Sequence, residues 1–229
     1  MREFRNRVAV VTGGAGGIGK ALARAFVGEG MKVVIADVEE AALQATAKEL
    51  GGDVMGVVTD VSDPASVQAL ADRVFERHGA CHILCNNAGV SVPNLDLWET
   101  EPSDFQWVFG VNVAGVAHGV QAFVPRMIAS GEEGFVMNTS SGDGGISPLA
   151  QQVVYASSKA AVSIVTECLE AQLRAQPLDE LAQHALQGIR ERRFIIMLGV
   201  EQAAATLRER ADRIARGELP IDLRHGLLV

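Results

Sequence analysis

A tyrosine four residues ahead of a lysine, in Tyr155-Ala156-Ser157-Ser158-Lys159, is the first place where this sequence could do chemistry. On a helix, positions four apart share a face. A phenol ordinarily ionises near pH ~10, and a neighbouring ammonium stabilises its phenolate form. Such a pair can give or take a proton near neutral pH. Tyr155 is the only tyrosine in the chain, so phenol chemistry can fall on no other residue. A plain aromatic–lysine pair on a helix surface has the same spacing, and this pattern alone does not separate the two.

The second stretch is Thr12-Gly13-Gly14-Ala15-Gly16-Gly17-Ile18-Gly19, between the apolar run Val8–Val11 and a helical pattern over Lys20–Phe26. Glycines permit a tight turn and let an anion approach the backbone. The helix start adds free N–H groups and the positive end of its dipole. Two registers overlap. Gly14, Gly16 and Gly19 fit G-x-G-x-x-G, whereas Gly13, Gly17 and Gly19 fit T-G-x-x-x-G-x-G. Taken alone, the stretch is also compatible with an ordinary strand-to-helix turn.

Asp37 lies 20 residues after Gly17, at the end of the apolar run Met31–Ala36. A carboxylate there can accept hydrogen bonds from both ribose hydroxyls of an adenosine and repels a 2′-phosphate. Val38 follows it, not the Arg or Lys that would suit such a phosphate. An Asp opening the next helix would occupy the same place. The reading adopted is NAD(H) over NADP(H).

Apolar runs at Val8–Val11, Met31–Ala36, Val54–Val58, Cys81–Cys85 and Gly134–Thr139 read as strands. Helical patterns alternate with them: Lys20–Phe26, Glu39–Leu50, Pro64 to about Arg77, Ser103–Ser130 and Gln152–Arg174. Ser62-Asp63-Pro64 caps the third helix, and Gly51-Gly52 and His78-Gly79 close the second and third. This alternation predicts an α/β fold, a doubly wound, mostly parallel sheet of Rossmann type with helices on both faces. A single domain is expected over residues 1–229. Polar residues stand where the strands end: Asp37, Asp60, Asn87 and Ser141. Ligands of open α/β sheets sit beyond the carboxyl ends of the strands, so four segments deliver polar groups to one rim.

The chain has 229 residues, 48% of them hydrophobic, and 24 glycines, a balance that fits a soluble α/β protein. A formal charge of −8 disfavours a nucleic-acid partner. The arginines near Arg190 and Arg208 alternate with Glu191, Glu209 and Asp212, as on a solvated helix face. No apolar run reaches the roughly 18 residues of a membrane span, and Met1–Arg7 carries no signal-peptide pattern. A cytoplasmic protein with no membrane partner is expected. Cys81, Cys85 and Cys168 read as buried small hydrophobes, and no Cys/His spacing predicts a metal site.

Together these residues resemble the short-chain dehydrogenase/reductase family over the first three-quarters of the chain. The resemblance is carried by T-G-x-x-x-G-x-G at Thr12–Gly19, Asp37, Asp60-Val61, N-N-A-G at Asn86–Gly89, Asn112, N-x-S-S at Asn138–Ser141 and Y-x-x-x-K at Tyr155–Lys159. It implies that Tyr155 is the general acid/base and that Lys159 assists it and binds the nicotinamide ribose. Ser141 would hydrogen-bond the substrate oxygen, and Asn112 would hold a helix carbonyl and water in a proton relay. Gly13, Gly17, Ile18 and Gly19 would hold the dinucleotide. Asp60 and Val61 would meet its adenine, and Asn87, Ala88 and Gly89 would run past its ribose.

Two features depart from the family pattern. The serine ordinarily precedes the tyrosine by 13 residues, whereas Ser141 precedes Tyr155 by 14 and Ser140 by 15. Ser141 is preferred because Asn138–Ser141 aligns with N-x-S-S, and Ser140 is the alternative. After Arg174 the family continues into a sixth strand, a Pro-Gly and a substrate lid, none of which is legible here. The expectation is a segment absent near 175–178. Beyond it, Leu178–Arg190 and Val200–Arg216 read as helices and Phe194–Leu198 as a strand. His184 and His225 read as structural or surface residues.

The implied activity is hydride transfer between NAD(H) and a secondary alcohol or its ketone. A dinucleotide-binding sensor or scaffold without turnover is the alternative, and epimerisation or dehydration is a third reading. The rim segments Val90–Leu97 and Ile146–Val153 are apolar or small and favour an apolar substrate. A homodimer or homotetramer is expected through the helices Ser103–Ser130 and Gln152–Arg174.

Overall fold

Short runs of β-branched and small apolar residues form five parallel strands: β1 Val8–Thr12, β2 Lys32–Asp37, β3 Val54–Val58, β4 Ile83–Asn86 and β5 Phe135–Asn138. Their order is β3-β2-β1-β4-β5. Between them run α1 Gly17–Gly28, α2 Glu40–Leu50, α3 Pro64–His78, α4 Pro102–Phe109, α5 Gly115–Ser130 and α6 Val153–Ala175. The computed structural model describes residues 3–175 and, beyond them, 205, 208, 209, 211 and 212. The expected break near 175–178, the helix Leu178–Arg190, the strand Phe194–Leu198, His184, His225 and most of Val200–Arg216 lie outside the described residues.

Strand alternation sorts the core into two layers. Val8, Val10, Val34 and Ala36 point to one face and pack with Leu70 and Val74 of α3 and Phe123 of α5. Ala9, Val11, Val33 and Ile35 point to the other and pack with Ala23 of α1 and Leu43 of α2. A sheet covered on both faces is the doubly wound architecture predicted. Chain order reverses between β1 and β4, so the crevice of this fold opens beyond Thr12 and Asn86.

Three details differ from expectation. β4 begins at Ile83, so Cys81 precedes it, although the neighbouring His82 N–H still donates to Val8 O at 2.9 Å. Cys168 is exposed on α6, whereas Cys81 and Cys85 are buried. The helix Pro102–Ser130 is long and apolar enough to cross a membrane by composition, although polar residues interrupt its apolar run. It serves as a core helix here, with Ala122, Phe123 and Met127 buried against the sheet layer.

The glycine registers separate in the structure. Gly13 and Gly17 have φ of +64° and +50°, a region that side chains rarely adopt. At Gly19 a Cβ would overlap Gly13 O and come within 2.7 Å of Asn87 Nδ2. Around Gly16 nothing lies within 4 Å and the backbone is extended. At Gly14 a Cβ would come within 2.7 Å of Ile35 Cβ, so Gly14 is required too. Gly16 is the one glycine of G-x-G-x-x-G that is not, whereas every glycine of the Gly13, Gly17 and Gly19 register is required. Gly19→Ala should lower stability by about 1–3 kcal/mol, and Gly16→Ala should stay within about 0.5 kcal/mol. Urea unfolding of the two variants checks this, and equal losses would contradict it.

Candidate active site

Tyr155 and Lys159 lie one turn apart on α6, with Lys159 Nζ 5.7 Å from the centre of the Tyr155 ring. Lys159 is 3% exposed. Its ammonium donates to Thr139 O, just past β5, at 2.8 Å. Burial disfavours the charged form and lowers the pKa of Lys159 from 10.5 to about 8. Gly89, in the loop after β4, forms the opposite wall. A Cβ there would come within 3.2 Å of Nζ and 3.3 Å of Asn112 Oδ1. Within the described residues Tyr155 hydrogen-bonds only through its main-chain carbonyl, which accepts from Ser158 Oγ at 2.7 Å. The phenol is left free for a ligand.

Asn112 sits in a single π turn, Gly110–Ala114, that joins α4 to α5. It is fully buried. Its Oδ1 accepts from Val90 N at 2.8 Å, and its Nδ2 donates to Val90 O and to Ser158 Oγ, each at 2.9 Å. One amide thus ties the loop after β4 to α6. The side chain is committed to these partners, so a relay role for Asn112 falls to its main chain.

The two serines differ in what they touch. Ser140 Oγ donates to Lys159 O at 2.9 Å and lies 2.8 Å from Ser163 Oγ, so it is engaged with α6. Among the described residues Ser141 Oγ hydrogen-bonds only with Asp143, its carboxylate at 3.4 Å and its N–H at 3.3 Å. Of the two, Ser141 is the serine whose hydroxyl is not engaged with α6.

At the other end of the crevice, Thr12 Oγ1 accepts from Asn87 N at 3.0 Å and from Ala88 N at 3.1 Å. Asn87 Nδ2 returns a bond to Thr12 O at 3.0 Å, and Thr139 Oγ1 donates to Asn87 Oδ1 at 3.2 Å. The glycine turn, the Asn87-Ala88-Gly89 loop and the end of β5 are therefore laced together. Asp37 accepts from Ala15 N at 3.0 Å and Glu39 N at 3.2 Å, which fixes its carboxylate beside the glycine turn. Asp60 accepts from Ser62 N at 2.8 Å and Ser62 Oγ at 2.6 Å. Val61 is buried in the core, so only main-chain groups of this residue remain for an adenine.

These residues fit a dinucleotide. α1 begins at Gly17, behind the N-cap Gly16, with no side-chain cap and no acidic residue in its first turn, so its N–H groups are available to a phosphate. α3, by contrast, is capped by the Asp63 side chain. Gly16 and Gly17 leave open space, and Ile18 beside them is 63% exposed. Thr12, Thr139 and Ser158 are structural members of the site that sequence reasoning did not single out. Their positions inside the quoted motifs were the available signal.

The rim is less apolar than expected. Ser91 Oγ donates to Gln152 Oε1 at 3.3 Å, Gln152 Nε2 donates to Asn94 Oδ1, and Leu95 N donates to Gln151 O at 3.1 Å. Polar contacts thus join the two rim segments.

The lowered pKa of Lys159 has a stability consequence. Between about pH 8 and 10.5 the unfolded chain holds a proton on Lys159 that the folded chain does not, so stability rises with pH across that window. The unfolding free energy of the wild type minus that of Lys159→Met should grow by about 1–3 kcal/mol from pH 7.5 to 10.5. Urea titrations at both ends check this, and a constant difference would contradict it.

Comparison with known proteins identifies the family and the fold. Residues 7–178 match the family described as "short chain dehydrogenase". A probable oxidoreductase EphD of Mycobacterium bovis is 39% identical over 175 residues, covering 75% of this chain and 29% of that protein. The 1-deoxy-11-beta-hydroxypentalenate dehydrogenase of Streptomyces avermitilis is 39% identical over 74% of this chain and 64% of its own length. The chain thus spans less than two thirds of these relatives. A short chain dehydrogenase/reductase from Burkholderia phymatum, crystallised with NAD, superposes with a TM-score of 0.84 at 35% identity, covering 100% of both chains. The chain belongs to the short-chain dehydrogenase/reductase family of NAD(P)-using oxidoreductases.

Proposed function

We propose that this protein is an NAD-dependent dehydrogenase that interconverts a secondary alcohol and its ketone, with Tyr155 as the general acid/base. The observation that carries the reading is a buried ammonium at Lys159 with one hydrogen bond among the described residues, beside the chain's only tyrosine, whose phenol has no partner among them. NAD, when bound, supplies the hydride acceptor. Tyr155, ionised to the phenolate that the Lys159 ammonium stabilises, takes the hydroxyl proton on Oη as the alcohol is oxidised and becomes a neutral phenol. Ser141 Oγ donates to the reacting oxygen. Asn112 is a positioning residue that keeps Val90 and Ser158 in place around the pair.

The choice of NAD rests on Asp37. Its fixed carboxylate can accept from ribose hydroxyls and repels a 2′-phosphate, and Val38 offers no cation to offset it. We further infer assembly as a homodimer or homotetramer through α5 and α6. An apolar groove there is lined by Val120, Val124, Ile128, Leu169 and Leu173. The free thiols fit a reducing, cytoplasmic setting.

Absorbance at 340 nm with a panel of secondary alcohols tests the reading. NAD should support turnover with kcat/KM at least about 10-fold above NADP. Dinucleotide binding without turnover of any alcohol would favour the sensor alternative. Ser141→Ala should lower kcat by about 100–1,000-fold. A loss confined to Ser140→Ala would reverse the serine assignment.

A further inference from the structure

The turn after Ser141 carries a charge that the proposed reaction does not use. Asp143 N donates to Ser141 Oγ at 3.3 Å, and Ser141 Oγ donates to Asp143 Oδ2 at 3.4 Å. Oδ1 has no partner among the described residues, and the side chain is half-buried. The turn is held firmly. Gly144 N donates to Ser141 O at 3.1 Å, and Ile146 N and Ser147 N donate to Gly142 O at 3.1 and 2.9 Å. Gly144 lies so close to α6 that a Cβ would come within 2.7 Å of the Lys159 carbonyl carbon.

A serine hydroxyl has one proton to donate. In this arrangement the Ser141 proton goes to Asp143, so a substrate oxygen must displace the carboxylate to receive it. A carboxylate displaced in this way would stay beside the reacting oxygen, within reach of the substituent on the neighbouring carbon. A partly buried carboxylate without a donor is unfavourable. A substrate with a hydroxyl on the neighbouring carbon supplies that donor, whereas a substrate carboxylate meets a like charge.

Resting on the reading of Ser141 as the substrate's hydrogen-bond donor, we propose that Asp143 is a specificity-determining residue. It selects alcohols that carry a second hydroxyl beside the reacting carbon and rejects those that carry a carboxylate there. The preferred substrate is a neutral vicinal diol or the corresponding hydroxyketone.

Three alcohols that share a phenyl ring test this: 1-phenylethanol, 1-phenyl-1,2-ethanediol and mandelate. They place a methyl, a hydroxymethyl and a carboxylate beside the carbinol carbon. With NAD, the wild type should prefer the diol to 1-phenylethanol by about 10-fold in kcat/KM and should disfavour mandelate. Asp143→Asn, which keeps the shape of the turn, should raise the ratio of mandelate to 1-phenylethanol by about 10-fold. Asp143→Ala should bring the ratio of diol to 1-phenylethanol close to one. A fall in absolute rate with unchanged ratios in both variants would overturn the proposal and leave the dehydrogenase reading standing. NAD binding with no oxidation of these three alcohols by a wild type that turns over other secondary alcohols would also overturn the proposal alone, and no oxidation of any secondary alcohol would remove both readings.

Discussion

The site depends on keeping an ammonium out of water. Lys159 Nζ is enclosed between the end of β5, the loop after β4 and its own helix, with Thr139 O as its hydrogen-bond acceptor. A buried charge is costly unless it is paired or hydrogen-bonded. One carbonyl is thin compensation, and the lowered pKa of Lys159 records the shortfall. A phenolate forming on Tyr155 would complete the compensation, because it supplies the missing negative charge. The constraint reaches back to the sequence at Gly89, where a side chain of any size would push against Nζ.

Holding such an ammonium requires the surrounding loops to stay still, and this is the role of the polar lacing. Thr12, Asn87 and Thr139 connect three strand ends through hydrogen bonds of their side chains. Asn112 then fastens Val90 to α6 through Ser158. Its π turn is the structural device that makes this possible. One extra residue in the turn rotates the helix register, so that α4 and α5 keep their own faces while Asn112 points inward. π turns of this kind occur often at functional sites. Fully engaged buried amides fix one geometry and not several.

Much of this was legible from residue type and spacing. Strand and helix alternation, the cap at Asp63 and the acidic strand end at Asp37 are local signals, and each stands where it was read. Other features were not local. The helix Ser103–Ser130 was recognised, but its π turn was not, because apolar periodicity barely changes when one residue is inserted. Ser140 and Ser141 differ only in what a distant helix brings to them, so spacing left both open. The glycine registers were likewise undecided until backbone φ and close approaches separated them. Cys168 was assigned to the interior on composition, yet α6 turns it outward. The rim was read as apolar because Ser91, Asn94 and Gln152 meet only across loops.

Chemistry and position converge on one hydroxyl, that of Tyr155. The most direct measurement is steady-state turnover of the Tyr155→Phe variant with NAD and an alcohol that the wild type oxidises, beside NADH binding by fluorescence. Turnover should fall by at least about 100-fold, with NADH affinity within about 2-fold of wild type. A phenylalanine variant that oxidises the alcohol at close to the wild-type rate would contradict the account.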